Sequence, residues 1–103
     1  MYRGESLPLR ITGVGDYDVR NMDFTLFLYP DGCICGDLRL NKEDFIPQED
    51  GSYIGIFPGS VTARFDLTSY TLEIYDRTHE VIFVRPSFIS VNESATSRII
   101  AGD

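Results

Sequence analysis

Two cysteines separated by one residue, Cys33-Ile34-Cys35, are the side chains here best suited to chemistry, since thiolates at that spacing can ligate zinc or copper. A full site needs further Cys or His ligands, and His79 is the one histidine in the chain. In an extended strand, side chains two residues apart share a face at about 7 Å, too far for an unstrained disulfide. Cys33 and Cys35 therefore read as two small apolar residues on a strand face, with no metal or cofactor expected. His79 lies in a polar stretch with Arg77 and Glu80. General-base work would require a nucleophile and an orienting partner within hydrogen-bond reach of it. Nothing in the sequence points to either, so an exposed imidazole and a non-catalytic protein are expected.

Acidic residues are the other group that could act together. Asp16, Asp18, Asp23, Asp31 and Asp37 could offer oxygen ligands to calcium between loops, but no run has the spacing of a calcium loop and no Glu stands at its twelfth position. They read as solvated loop carboxylates. Gly13-Val14-Gly15 lacks the third glycine and the following helix of a phosphate loop, and reads as a turn between strands. Asn92-Glu93-Ser94 fits a glycosylation pattern, which is accidental in a chain whose start, MYRGESLPLR, has no apolar signal region. A cytoplasmic or virion-associated location is expected on the same ground. Six Tyr and seven Phe without Trp are more rings than so short a chain can bury. Tyr2, Tyr17, Tyr29 and Tyr53 fall near strand ends or turns, where a ring with a wet hydroxyl suits an interface, so they form the candidate interaction surface.

The elements that must position these residues are short strands. Leu7, Leu9 and Ile11 alternate with polar residues or proline, and Pro8, which cannot donate to a ladder, marks an edge strand. Met22, Phe24, Leu26 and Leu28 share one face of a strand whose other face is mixed, which suits the middle of a sheet. Tyr29-Pro30-Asp31-Gly32 is a type I turn signature that sends residues 33–40 back as a hairpin partner. The polar stretch 41–51 ends in a turn before a strand at 52–57, and Pro58-Gly59 breaks that strand. Residues 60–67 are ambiguous: Val61, Ala63 and Phe65 alternate as in a strand, but Phe65-Asp66-Leu67-Thr68 could equally be a corner or a single helical turn. Tyr70, Leu72 and Ile74 face one way on the clearest strand, and 76–80 form its hairpin turn. Val81 to Val84 is continuously apolar, as in a strand covered on both faces or crossing the core; Pro86 interrupts it and Phe88 to Val91 resumes.

That pattern, with no helical stripe longer than about two turns, predicts an all-β fold, an antiparallel β-sandwich of about six to eight short strands. At 103 residues one core is all the chain can support, so residues 1–92 form one domain and 93–103 a mobile tail. Nine Lys and Arg against sixteen Asp and Glu leave a net charge of −7 with no basic cluster, which excludes nucleic acid as an expected partner. No run approaches the roughly 18 apolar residues of a membrane span.

The order of features resembles the small Ig-like domains of phage and prophage tail or baseplate proteins. It runs from Arg3-Gly4-Glu5-Ser6 and an alternating strand, through the long strand Met22 to Tyr29 and an acidic middle, to Tyr70-Thr71-Leu72-Glu73-Ile74-Tyr75 and a final hairpin. The resemblance is one of layout over residues 2–92, and it implies a structural module that attaches one tail component to another without cofactors. The expected partners are other proteins or further copies of the chain. The alternative is a carbohydrate- or ligand-binding sandwich, in which loop Tyr and Asp residues would cluster in one concavity.

Overall fold

The computed structural model describes residues 1–14, 16–33 and 38–93. Along the chain run β1 (Leu7–Ile11), β2 (Gly13–Val14), β3 (Tyr17–Asp18), a 3-10 turn (Val19–Asn21), β4 (Phe24–Pro30), β5 (Leu38–Asn41) and a second 3-10 turn (Lys42–Asp44). There follow β6 (Ile46–Pro47), β7 (Tyr53–Phe57), the one-turn helix α1 (Gly59–Thr62), β8 (Ser69–Asp76) and β9 (Val81–Ser90). Three of these strands, β2, β3 and β6, are only two residues long, which leaves six of four residues or more among the described residues. All pair antiparallel, in a three-stranded sheet of order β1-β7-β6, a four-stranded sheet of order β5-β4-β8-β9 and the small β2-β3 ribbon. The two larger sheets form a β-sandwich.

The core comes from alternation. Phe24, Leu26 and Leu28 on β4 are buried, and their direct partners on β8 are Asp76, Ile74 and Leu72. From the other sheet Leu9, Ile11 and Phe57 close the layer. Central placement of β4, between β5 and β8, and the edge position of Pro8 on β1 follow the sequence pattern. Phe45, isolated within a polar stretch, is also buried, because it packs where Gly55 carries no side chain: a Cβ there would meet the ring at 2.7 Å. Tyr70 is buried with its ring stacked on Phe65 at 5.0 Å, and its hydroxyl accepts the Asp66 N–H at 2.7 Å.

Four local expectations are refined. The turn after β4 is shifted by one residue: the Cys33 N–H donates to the Pro30 carbonyl at 3.0 Å and Gly32 takes φ +83°, the third-position requirement of a type II turn. Residues 59–62 form a helical turn rather than a strand, and Thr62 anchors it by donating to the Glu5 carbonyl at 2.6 Å. Pro86 does not end its strand, because β9 lies at a sheet edge where a missing N–H is tolerated. Its cost is a bulge, with Tyr70 opposite Ile89 and Leu72 opposite Arg85, so that residues 86–88 stand against Thr71 alone. Finally, Val81 to Val84 is not covered on both faces. Ile82 and Val84 are 61% and 58% exposed, whereas Val81 and Phe83 turn partly inward.

Candidate functional site

β9 is the longest strand, and it is bonded on one side only, to β8. Its far side presents a row of backbone N–H and C=O groups with no strand partner among the described residues, the chemistry on which a further strand can add. The opposite described edge of the same sheet, β5, has four residues, and the three-stranded sheet ends in the two-residue β6. Side chains extend the β9 edge across the outer face of the sheet. The register sets Ile82 beside Tyr75, and Val84 beside Glu73 and then Phe27. Phe27 and Tyr29 stack on that face with centroids 5.8 Å apart and planes at 14°. The Arg77 guanidinium lies over the Tyr75 ring at 5.6 Å.

Between the two sheets, on the side bounded by β1 and β9, the sandwich is open. A groove of about 640 Å³ runs there, floored by Leu26, Leu72 and Ile74 and walled by Phe83 and Phe88. Arg85 stands at its mouth. It holds the register position opposite Leu72, where a closed core would carry an apolar side chain, and its guanidinium lies 5.8 Å from the Phe88 ring. The groove is lined by every residue of 9–13 and of 82–85. Because successive strand residues face opposite ways, an unbroken run can line a cavity only edge-on.

The polar cluster at the β8–β9 hairpin is separate. Asp76 is fully buried, and its Oδ1 accepts the N–H groups of Asp23 at 3.1 Å and Thr78 at 3.0 Å. Its Oδ2 is bonded to His79 Nδ1. Burial is the largest influence on this carboxyl and pushes its pKa up, but the His79 ring and the two backbone donors together outweigh it and hold the pKa below the usual carboxylate value. His79 stays exposed as expected, with a third of its side chain open, yet its ring lies 4.3 Å from Tyr17, which packs edge-on against Phe83 at 5.9 Å. A buried carboxylate holding one imidazole nitrogen is an orienting pair. Through its contact with Tyr17 the pair ties the hairpin to the β2-β3 ribbon.

The four tyrosines are not brought together. Tyr2, half exposed, lies in a bridge to Asn92; Tyr17 packs on His79; Tyr29 stacks on Phe27; Tyr53 meets Phe24 edge-on at 5.8 Å with Lys42 Nζ 5.5 Å from its ring. Beside Tyr29 a hollow of about 380 Å³ is lined also by Asp31, Thr71, Glu73 and Cys33. Cys33 is exposed and sits after the turn, outside any strand, so it does not pack on a strand face as expected; Cys35 lies outside the described residues. Among the loop carboxylates, Asp18 caps the first 3-10 turn through the Arg20 N–H and pairs with the Arg20 guanidinium at 2.6 Å, which lowers its pKa to about 2. Asp23 pairs with Arg77 at 3.8 Å. No three His, Cys, Asp or Glu side chains converge in a way that could hold a metal ion among the described residues. No described helix is long and apolar enough to cross a membrane. Of the tail, Glu93 pairs with Arg3 at 3.7 Å, and 94–103 lie outside the described residues.

Sequence reasoning missed Ile82, Val84 and Arg85 as surface residues. The available signal was Arg85 itself, two residues beyond Phe83 and so on the same strand face, which is incompatible with a strand sealed on both sides. No protein-family model, curated protein or solved structure matches the chain, so the likeness in layout to Ig-like tail domains stands without a counterpart.

Proposed function

We propose that this protein is a non-catalytic assembly module that joins further copies of itself through the edge of β9. One observation carries the reading: the longest strand of the sandwich is an edge strand whose outward side chains, Ile82 and Val84, are apolar and more than half exposed. Soluble proteins blunt such edges with charge, short length or a cover. Here Pro86 and the bulge interrupt only the second half of the strand, and residues 81–84 carry no charge. An antiparallel pairing of two β9 strands about a twofold axis through Phe83 would set Ile82 against Val84 of the other copy, so the edge is self-complementary. The layout shared with tail and baseplate domains suggests the setting, attachment of one tail component to another.

Light scattering on the full chain over a range of concentrations tests this. The expected result is a defined oligomer, weakened at least tenfold in the Val84→Lys variant, which alters an exposed position and leaves the core intact. A strict monomer at every concentration would count against self-assembly.

A second reading, sugar binding, has one observation in its favour, the hollow that sets Tyr29 beside Asp31 and Glu73. Its single tyrosine ring is fewer than the two or three that a stacking site uses. Binding of any sugar on a glycan array, lost in Tyr29→Ala, would move weight to it.

A further inference from the structure

We propose that the groove between β1 and β9 is a receptor for an extended peptide strand of a partner chain, one that alternates large apolar side chains with carboxylates. The proposal rests on the reading of the chain as an assembly module and gives the free edge of β9 a second occupant, which would compete there with another copy of the chain.

Three features point to a strand. Both walls are strand edges over most of their length: 9–13 and 82–85 each line the groove without a break, and β1 (9–11) and β9 (82–85) have no further strand beside them there among the described residues, whereas Gly13 is paired with Asp18 in the β2-β3 ribbon. An apolar small molecule could fill the space but would leave those backbone groups unanswered, whereas an inserted strand supplies N–H and C=O to them. The floor of Leu26, Leu72 and Ile74 then receives every second side chain of the insert. The size also fits. With strands about 4.8 Å apart, sheets about 10 Å apart and about 3.3 Å of rise per residue, one strand residue needs about 160 Å³. A groove of about 640 Å³ therefore takes about four residues.

Charge specifies the insert further. The chain carries a net charge of −7, yet the two charged residues that line this groove are both cationic, Arg10 and Arg85. Arg10 is already paired with Asp50 at 3.5 Å, while Arg85 has no ion-pair partner among the described residues and rests on Phe88. A carboxylate at the mouth of the groove completes Arg85 without displacing anything. A basic insert would meet it with repulsion.

The test is selection of a displayed library of random peptides, about a strand in length, against the full chain. Enriched peptides are then measured by fluorescence anisotropy, and their binding is mapped by backbone amide NMR. The expected result is a consensus of alternating apolar and acidic residues, amide shifts concentrated in 9–12 and 82–85, and at least tenfold weaker binding to the Arg85→Glu variant. Val84→Lys, on the outer face, should affect self-association far more than peptide binding. The proposal is overturned if no peptide is enriched, if enriched peptides lack carboxylates, or if binding is unchanged in Arg85→Glu. Tight binding of laurate without any enriched peptide would assign the groove to a small amphiphile and overturn it equally. Failure of the two readings is separable: a monomeric chain that still selects acidic strands loses self-assembly and keeps the groove. An oligomer that selects nothing does the reverse.

Discussion

Asp76 shows how a residue that looks like part of a turn becomes a structural centre. Its carboxylate ties the β8–β9 hairpin to the segment before β4, accepting from Asp23, Thr78 and His79, and it has no exposed surface. Removing it leaves buried donors unpaired, so Asp76→Ala is expected to cost about 3 kcal/mol in chemical denaturation, with Asp76→Asn costing less because one acceptor oxygen remains. The folded-state pKa of Asp76 lies below its usual value of 3.8, so the stabilisation from its charge is present above that value and is lost as pH falls through the folded pKa. The stability gap between the native chain and Asp76→Asn should therefore be constant at neutral pH and shrink below about pH 4. In the sequence, Asp76, His79 and Tyr17 are three unremarkable polar or aromatic residues. What joins them is a pairing between the ribbon near residue 17 and a hairpin about sixty residues later, which no local spacing encodes.

At the scale of elements, periodicity of two identified the long strands because burial on one face enforces it. Phe24, Leu26 and Leu28 on β4, and Leu9 and Ile11 on β1, are the clearest cases. The pattern failed where both faces are apolar for different reasons: inward Phe83 packs against the core, outward Ile82 and Val84 do not, and a continuous run hides the difference. It failed also at residues 60–67, where Val61, Ala63 and Phe65 alternate by chance and a Thr62 hydroxyl bound to the Glu5 carbonyl holds a helical turn. Two substitutions test the packing of elements. Gly55→Val places a side chain where the Phe45 ring already sits and is expected to cost about 1–3 kcal/mol by overpacking, read as a lowered melting temperature. Glu80 ends the β8–β9 hairpin at φ +55°, so Glu80→Gly should relieve backbone strain and be neutral or stabilising by up to about 1 kcal/mol, unlike glycine in the strands beside it.

The whole molecule is an acidic sandwich that is unevenly finished. One side of the four-stranded sheet carries a ten-residue edge strand, and the same side opens into an apolar groove with cationic lining residues. The fold class was legible because strand length and turn spacing constrain it. The open side was not, because whether an edge is covered depends on which strands become neighbours in space. Copies that each carry a net charge of −7 repel one another, so an apolar and backbone contact should strengthen as salt screens that repulsion. Raising ionic strength is therefore expected to increase the oligomer mass seen in light scattering, the opposite of a contact built on ion pairs.

The contact at β9 is tested most directly by amide hydrogen exchange on the full chain at low and high concentration. If the edge pairs with another copy, amides within 82–85 that point away from β8 gain protection as concentration rises, while those of β5 at the opposite edge do not. Exchange in 82–85 that is independent of concentration, in samples whose mass shows an oligomer, would place the contact elsewhere and contradict the account.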